Sequence, residues 1–210
     1  MIVRRLNNNG LKGYLEDGDT ILVPNLRSRD AILFQYLNDS GQTPKPTPKI
    51  FPVDIFIQKL WELNSRTGTS QCSRSRIISP EEELILWEMI IEVSLESIPL
   101  LNSSETSKAV SHSYHLAQQW ILDETKLEKS GSKFMKKDAI IFSNWRQKFQ
   151  EHCDEKGIIT LVDATISLIK LISSRKINHL PARTVLVNFH ESPPLYKKLS
   201  LIHISEPTRL

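Results

Sequence analysis

The chain has little of several things, and each shortage closes off a class of function. It holds two cysteines in 210 residues, Cys72 and Cys153, far apart and without a paired spacing. That excludes a cysteine-built metal or redox motif and points to reduced, structural thiols in a cytoplasmic protein. No stretch approaches the ~20 consecutive apolar residues of a membrane span. The N-terminus, Met1-Ile-Val-Arg-Arg-Leu-Asn-Asn-Asn-Gly10, has basic residues but no apolar segment behind them, so it does not read as a secretion signal. Excess charge of one sign is scarce too. The 27 basic and 24 acidic side chains leave +3, too mild a balance to argue nucleic-acid binding, which usually shows a clustered basic face and a domain pI above about 9. The expectation is a soluble, cytoplasmic protein without a membrane partner.

What is present is ordinary globular material, 40% hydrophobic and 24% charged, enough for one sizeable core or one domain plus part of another. Leu6, Leu11 and Leu15 suggest a short helix, weakened by Gly10 and Gly13. Asp17-Gly-Asp19 turns the chain into Thr20-Ile-Leu-Val23, a β-branched apolar run typical of buried parallel strands. Pro24 ends the strand and Asn25 caps a helix with Ile32, Leu33, Tyr36 and Leu37 as its stripe. The prolines of Gly41–Pro48 make an extended connector, and Lys49-Ile-Phe51 reads as another short strand.

From Val53 the pattern is almost all helical. One helix carries Ile55, Phe56, Leu60 and Leu63, and a polar loop spans Asn64 to Ser75. Ser79-Pro-Glu-Glu82 is a capping-box start, with Leu84, Trp87 and Ile91 behind it. Asn102 or Ser103 opens a helix bearing Val110, Tyr114, Ala117 and Ile121, broken by Lys129–Lys133. Ile141, Trp145, Phe149 and Cys153 line the next helix, which Gly157 stops, and Thr160 to Ile172 form another. A strand returns at Thr184-Val-Leu-Val187. The expected fold class is α/β and helix-dominated: a partial parallel sheet carrying a large helical insertion.

No complete catalytic constellation emerges. A phosphate-cradling loop needs closely spaced glycines and a Lys-Ser/Thr pair at the helix start; Pro24-Asn-Leu-Arg-Ser-Arg29 has neither. The later strand ends in Asn188-Phe189 where a magnesium-binding strand presents a carboxylate, and Glu191 is displaced into the turn. The carboxylate–lysine pattern of Pro52-Val-Asp54 and Glu124-Thr-Lys126 falls in helical stretches, so it does not make a metal-dependent nuclease site. His112 and His115 share a helix face but lack a third ligand, and surface or partly packed histidines fit better. The four tryptophans, Trp61, Trp87, Trp120 and Trp145, sit on apolar stripes and read as core rather than as stacking platforms for bases. The candidate phosphate contacts are Arg27 and Arg29 after the first strand, and Lys133, Lys136 and Lys137 in the densest basic run, which also holds Lys126 and Lys129. No cofactor is expected.

The final Leu201-Ile-His-Ile-Ser-Glu-Pro-Thr-Arg209 fits nothing before it and reads as translated sequencing-adapter sequence, so the natural chain is expected to continue past Ser200. The alternative is a short strand, Leu201 to Ile204, and a turn.

In their order, the landmarks resemble a family. Ile21-Leu-Val-Pro-Asn25, Ile50-Phe-Pro-Val-Asp54 running into Trp61, Ile78-Ser-Pro-Glu-Glu-Glu-Leu-Ile-Leu-Trp87, Gln119-Trp120, Phe142-Ser-Asn-Trp145 with Phe149, and Val185-Leu-Val-Asn-Phe189 follow one another over roughly residues 18–200. This succession resembles the N-terminal region of bacterial DNA-repair proteins of the PD-(D/E)XK nuclease group, relatives of the B subunit of AddAB-type helicase–nucleases. The resemblance implies a P-loop-NTPase or helicase-like sheet without a working phosphate loop. It also implies a nuclease domain far C-terminal of these residues, DNA as partner and a helicase–nuclease partner subunit. One departure is Asn188 where the family has glycine before the phenylalanine; Asn tolerates the left-handed conformation better than most residues. The expected divisions are 1–51 for the first part of the sheet domain, 52–180 for the helical insertion, 181–200 for the return strand and 201–210 for the adapter-like tail. The expected function is a non-catalytic, DNA-engaging scaffold region of a repair nuclease. The rival is a helical protein-interaction or regulatory module unrelated to DNA.

Overall fold

The computed structural model describes residues 11, 13–15, 17–39, 47–66, 71–94, 102–121, 133–177, 180–181, 183–189 and 193–202. The chain divides into two compact units, Met1–Cys72 with Ser167–Leu210, and Ser73–Ile166. The helix that follows the second strand groups with the sheet in this division, and so do residues 167–180.

The first unit is built on a three-stranded parallel sheet of order β2-β1-β5, formed by β1 (Thr20–Val23), β2 (Lys49–Pro52) and β5 (Thr184–Leu186). Ile21 lies opposite Ile50 on one side and Val185 on the other. As the central strand β1 is paired along both edges, and Ile21, Leu22 and Val23 have no exposed surface. Each such burial stabilises by about 1.5–3 kcal/mol relative to exposure. Ile21, Val23, Ile50 and Val187 cluster with Leu15, Ile32 and Tyr36. The last two come from α1 (Leu26–Asp39), and four-residue spacing places them on one helical face. Leu37, expected on that stripe, is exposed instead, as is Phe34. Helix α2 (Val53–Ser65) starts directly from β2 and buries Val53, Phe56, Ile57, Leu60 and Trp61. Leu63, expected on this stripe, is exposed. At the opposite edge of the sheet Arg183 bonds both Asp19 (2.7 Å) and Asp17 (2.9 Å), tying the start of β5 to the turn before β1.

The second unit contains α3 (Pro80–Ser94), α4 (Ser103–Trp120), α5 (Lys133–Lys156) and the start of α6 (Leu161–Ser173). Its start signals behave as the sequence dictates. Ser79 Oγ accepts from the Glu82 amide at 3.2 Å, and Glu82 accepts from the Ser79 amide at 2.9 Å. Arg76 adds a two-pronged bond to the Glu82 carboxylate and holds it down at a pKa of about 2. Asn102 caps α4 through the amides of Ser104 and Glu105.

Three features depart from expectation. The polar stretch Asn64 to Ser75 is not all loop: Asn64 is buried in α2, donating to the Leu60 carbonyl at 2.8 Å, and Gln71–Arg74 form a 3-10 turn. A pair of two-residue parallel strands, β3 (Arg76–Ile77) and β4 (Ile158–Ile159), is too short to show periodicity. They meet because Gly157 turns at φ 60°, where a Cβ would lie 3.0 Å from the Arg74 carbonyl oxygen. Helix α4 ends at Trp120 with Ile121 in the left-handed conformation, so Trp120 and Ile121 are exposed rather than core. The connector 41–46 and residues 203–210 lie outside the described residues, while Leu201 and Ile202 extend α7 (Pro194–Ile202) as helix, not strand.

Candidate nucleic-acid interface and the buried polar cluster

In an open parallel sheet, ligands bind beyond the carboxyl ends of the strands, where the chain reverses its direction of travel across the sheet. Here that point lies between β1 and β5, since the chain leaves β1 toward β2 and returns on the far side. The Val187 amide donates to the Leu22 carbonyl at 2.9 Å, so the turns after the two strands leave the edge side by side. The turn after β1 is Pro24-Asn25. Asn25 Oδ1 accepts from the Ser28 amide at 2.9 Å, so the first turn of α1 is capped by its own chain where a phosphate loop leaves amides for a ligand. After β5, Asn188 takes φ 62°, the left-handed geometry that its side chain tolerates. Phe189 packs near Tyr196, ring centroids 6.2 Å apart, and burial, with the nearby charge of Asp54, pushes the Tyr196 phenol up from its ordinary range.

The predicted cations divide between the units. Arg27 is exposed in the first turn of α1. Arg29 is bonded to Asp30 at 2.8–2.9 Å, which offsets its charge locally. Lys133, Lys136 and Lys137 lie at the start of α5; Lys137 is exposed, and for Lys133 and Lys136 only the backbone is described. Lys126, Lys129 and Glu191 lie outside the described residues. The first turn of α5 has no acidic residue, so its lysines add to the positive end of the helix dipole rather than opposing it.

Sequence reasoning missed two multiply bonded polar residues, Glu83 and Asp163. Glu83 is buried on the core face of α3, and its carboxylate accepts from Ser111 Oγ (2.8 Å) and Trp87 Nε1 (3.2 Å) and meets His115 Nε2 (2.9 and 3.0 Å). Burial lowers the His115 pKa, but the hydrogen bond and charge of Glu83 outweigh it, and the net direction is upward. Asp163 accepts from Tyr114 Oη (2.5 Å), Thr160 Oγ1 (2.7 Å) and Gln118 Nε2 (3.0 Å). Burial pushes both its carboxyl and the Tyr114 phenol up. The signal for Glu83 was readable: it shares its helical face with Trp87, Ile90 and Ile91, and a glutamate on an apolar stripe needs a partner.

This cluster has the members of a nucleophile–base relay but not its connectivity. Ser111 donates to Glu83, so its hydroxyl is not poised to lose a proton to the His115 imidazole. The Cys153 thiol, pushed up to about 12 by burial and by Asp163, Asp154 and Glu83, stays protonated and weakly reactive. His112, expected to share a face with His115, is exposed. Among the described residues no three His, Cys, Asp or Glu side chains converge as a metal site, and no helix is long and apolar enough to cross a membrane. The cluster binds α3, α4 and the start of α6 together. No protein-family model matches the chain, and no curated protein matches it.

Proposed function

We propose that this chain is a non-catalytic, DNA-engaging scaffold region of a repair or recombination nuclease. It corresponds to a helicase-like sheet domain whose nucleotide site has been lost. The observation that carries this reading is the carboxyl edge of the sheet. The family resemblance implies a parallel sheet bearing a helical insertion, and the parallel sheet here has a helical block in the chain between β2 and β5. Its first turn, Pro24-Asn25, has no glycine and is capped from within, so the anchoring that a nucleotide phosphate requires is missing. The basic start of α5, with Lys133, Lys136 and Lys137, and the exposed Arg27 supply phosphate contacts of the kind that position a nucleic acid without reading its sequence.

The test is anisotropy of a labelled single-stranded oligonucleotide across a salt series. Binding is expected to weaken steeply with salt, and replacing all three lysines by alanine lowers the slope of log K against log salt by about 2, at roughly 0.7 per lost contact on a single strand. Salt-independent binding, no binding, or ATP hydrolysis by the chain would overturn the reading.

A further inference from the structure

Helix α3 is apolar on two opposite sides, and only one is covered. Glu83, Trp87, Ile90 and Ile91 face inward, and Trp87 and Ile91 have no exposed surface. Ile85, Met89 and Val93 follow at four-residue intervals on the other side and are 64%, 42% and 73% exposed. A helix facing solvent on its outer side carries charged or polar residues there; one apolar nearly all round belongs in an interior. Single exposed apolar residues are ordinary, but three in register along one helix form a continuous stripe.

The borders of the stripe identify its occupant. At about 100° per residue, Glu81, Glu88 and Glu92 run along one flank, and α3 contains no lysine or arginine. Arg76 is bonded to Glu82, and Lys108 is bonded to Glu105 at 2.8 Å and also feels the charge of Glu88, so Glu81, Glu82, Glu88, Glu92 and Glu105 outnumber these two cations and the flank is net acidic. Ser103 Oγ lies 3.3 Å from the carboxylates of both Glu88 and Glu92, and its single proton, shared between them, neutralises neither. Two copies of this face packed antiparallel would bring their glutamate rows together, a repulsive arrangement. We propose that the outer face of α3 docks a basic amphipathic helix of a partner protein. Apolar residues at helical spacing cover Ile85, Met89 and Val93, and lysines or arginines on that helix's border meet Glu81, Glu88 and Glu92. This inference goes beyond the DNA reading and does not depend on it.

The whole chain is titrated against two labelled model helical peptides, one with leucines at i, i+4 spacing bordered by lysines, the other with glutamates in place of the lysines. Since the chain's formal charge is +3, overall electrostatics does not favour the lysine peptide. The lysine peptide is expected to bind and the glutamate peptide to bind at least about tenfold more weakly. Met89→Glu reduces lysine-peptide binding by about tenfold or more, the scale of one lost apolar anchor. Both Met89 and Val93 are exposed, and Val93→Glu serves as a second variant if Met89→Glu disturbs the helical circular dichroism. Glu88→Gln with Glu92→Gln costs a few-fold, roughly what exposed ion pairs contribute, and flattens the salt dependence. Equal binding of the two peptides, binding untouched by either apolar variant, or no binding overturns the proposal. Self-association in sedimentation that Val93→Glu abolishes does so too, because the face is then covered by a second copy.

Discussion

The two units reach stability by different routes. The sheet unit buries a uniform apolar strand, with Ile21, Leu22 and Val23 inaccessible and flanked by equally apolar neighbours from β2 and β5. The helical unit also buries large aromatics, yet it places Glu83 and Asp163 among them and meets each carboxylate with several donors. An apolar strand tolerates volume-conserving exchange. A buried carboxylate tolerates almost none, because losing one donor leaves charge in a poorly solvated place. The contrast predicts where each unit fails first.

The largest effect is expected at Trp87. Its ring stacks on Phe149 with centroids 4.0 Å apart and planes within 5°, and Tyr114 lies 5.5 Å away. It also donates to Glu83. Trp87→Ala removes the ring and one donor together, and should destabilise the helical unit by about 3–5 kcal/mol. Hydrogen exchange at the amides of α3 and α4 would measure it. Protection there unchanged would mean that the aromatic stack contributes little and the polar contacts hold these helices.

Next in size is the pH dependence that separates the units. His115 has a raised folded pKa through Glu83, so its stabilising contribution is complete below its ordinary value of 6.5 and is lost as pH rises through the folded value. Asp163, also raised, works in the same direction from about its ordinary 3.8 upward, because the fold favours its protonated form. Denaturation monitored at α3 and α4 should therefore show stability falling on the alkaline side of pH 6.5. Glu83→Gln, which keeps an acceptor for Ser111 and Trp87, should cost about 1–3 kcal/mol at pH 6 and remove most of that fall. A Glu83→Gln profile parallel to the parent's would show that another group carries the titration.

The same contrast explains what could be read in advance. Thr20–Val23, the strands at Lys49 and Thr184, the Ser79–Glu82 capping box and the Gly157 stop each depend on a local rule, and all are found. β3 and β4, two residues each, depend on a meeting across about eighty positions of chain, which no local pattern encodes. Trp120 shows the converse. The stripe extrapolated to it is sound, but the helix ends there, and the left-handed Ile121 takes the chain away from the core face. Among the candidate contacts, Arg27 and Lys137 are exposed as a phosphate contact requires. Arg29 has a carboxylate beside it, one residue along, where proximity in sequence gave no sign that the two would bond. Glu83 and His115 are 32 residues apart, so the pair was invisible even though the burial of Glu83 was not.

The smallest effect sets one helix cap in each unit against the other. Asn25 satisfies one amide of α1, that of Ser28 at 2.9 Å, while Asn102 satisfies two of α4, those of Ser104 at 3.0 Å and Glu105 at 3.2 Å. Both are exposed polar caps, so replacement by alanine removes the hydrogen bonds and little packing, at about 0.5–2 kcal/mol each. With more amides depending on it, Asn102→Ala should be the costlier, by several tenths of a kcal/mol, and its loss should appear as faster exchange at the first turn of α4. Asn25→Ala has a second consequence, because the freed Ser28 amide faces the carboxyl edge where a nucleotide domain binds phosphate. If the internal cap is what closes that edge, inorganic phosphate should protect the amides at the start of α1 in Asn25→Ala and leave them unchanged in the parent chain. Protection in neither protein would show that the missing glycines, rather than the cap, close the site.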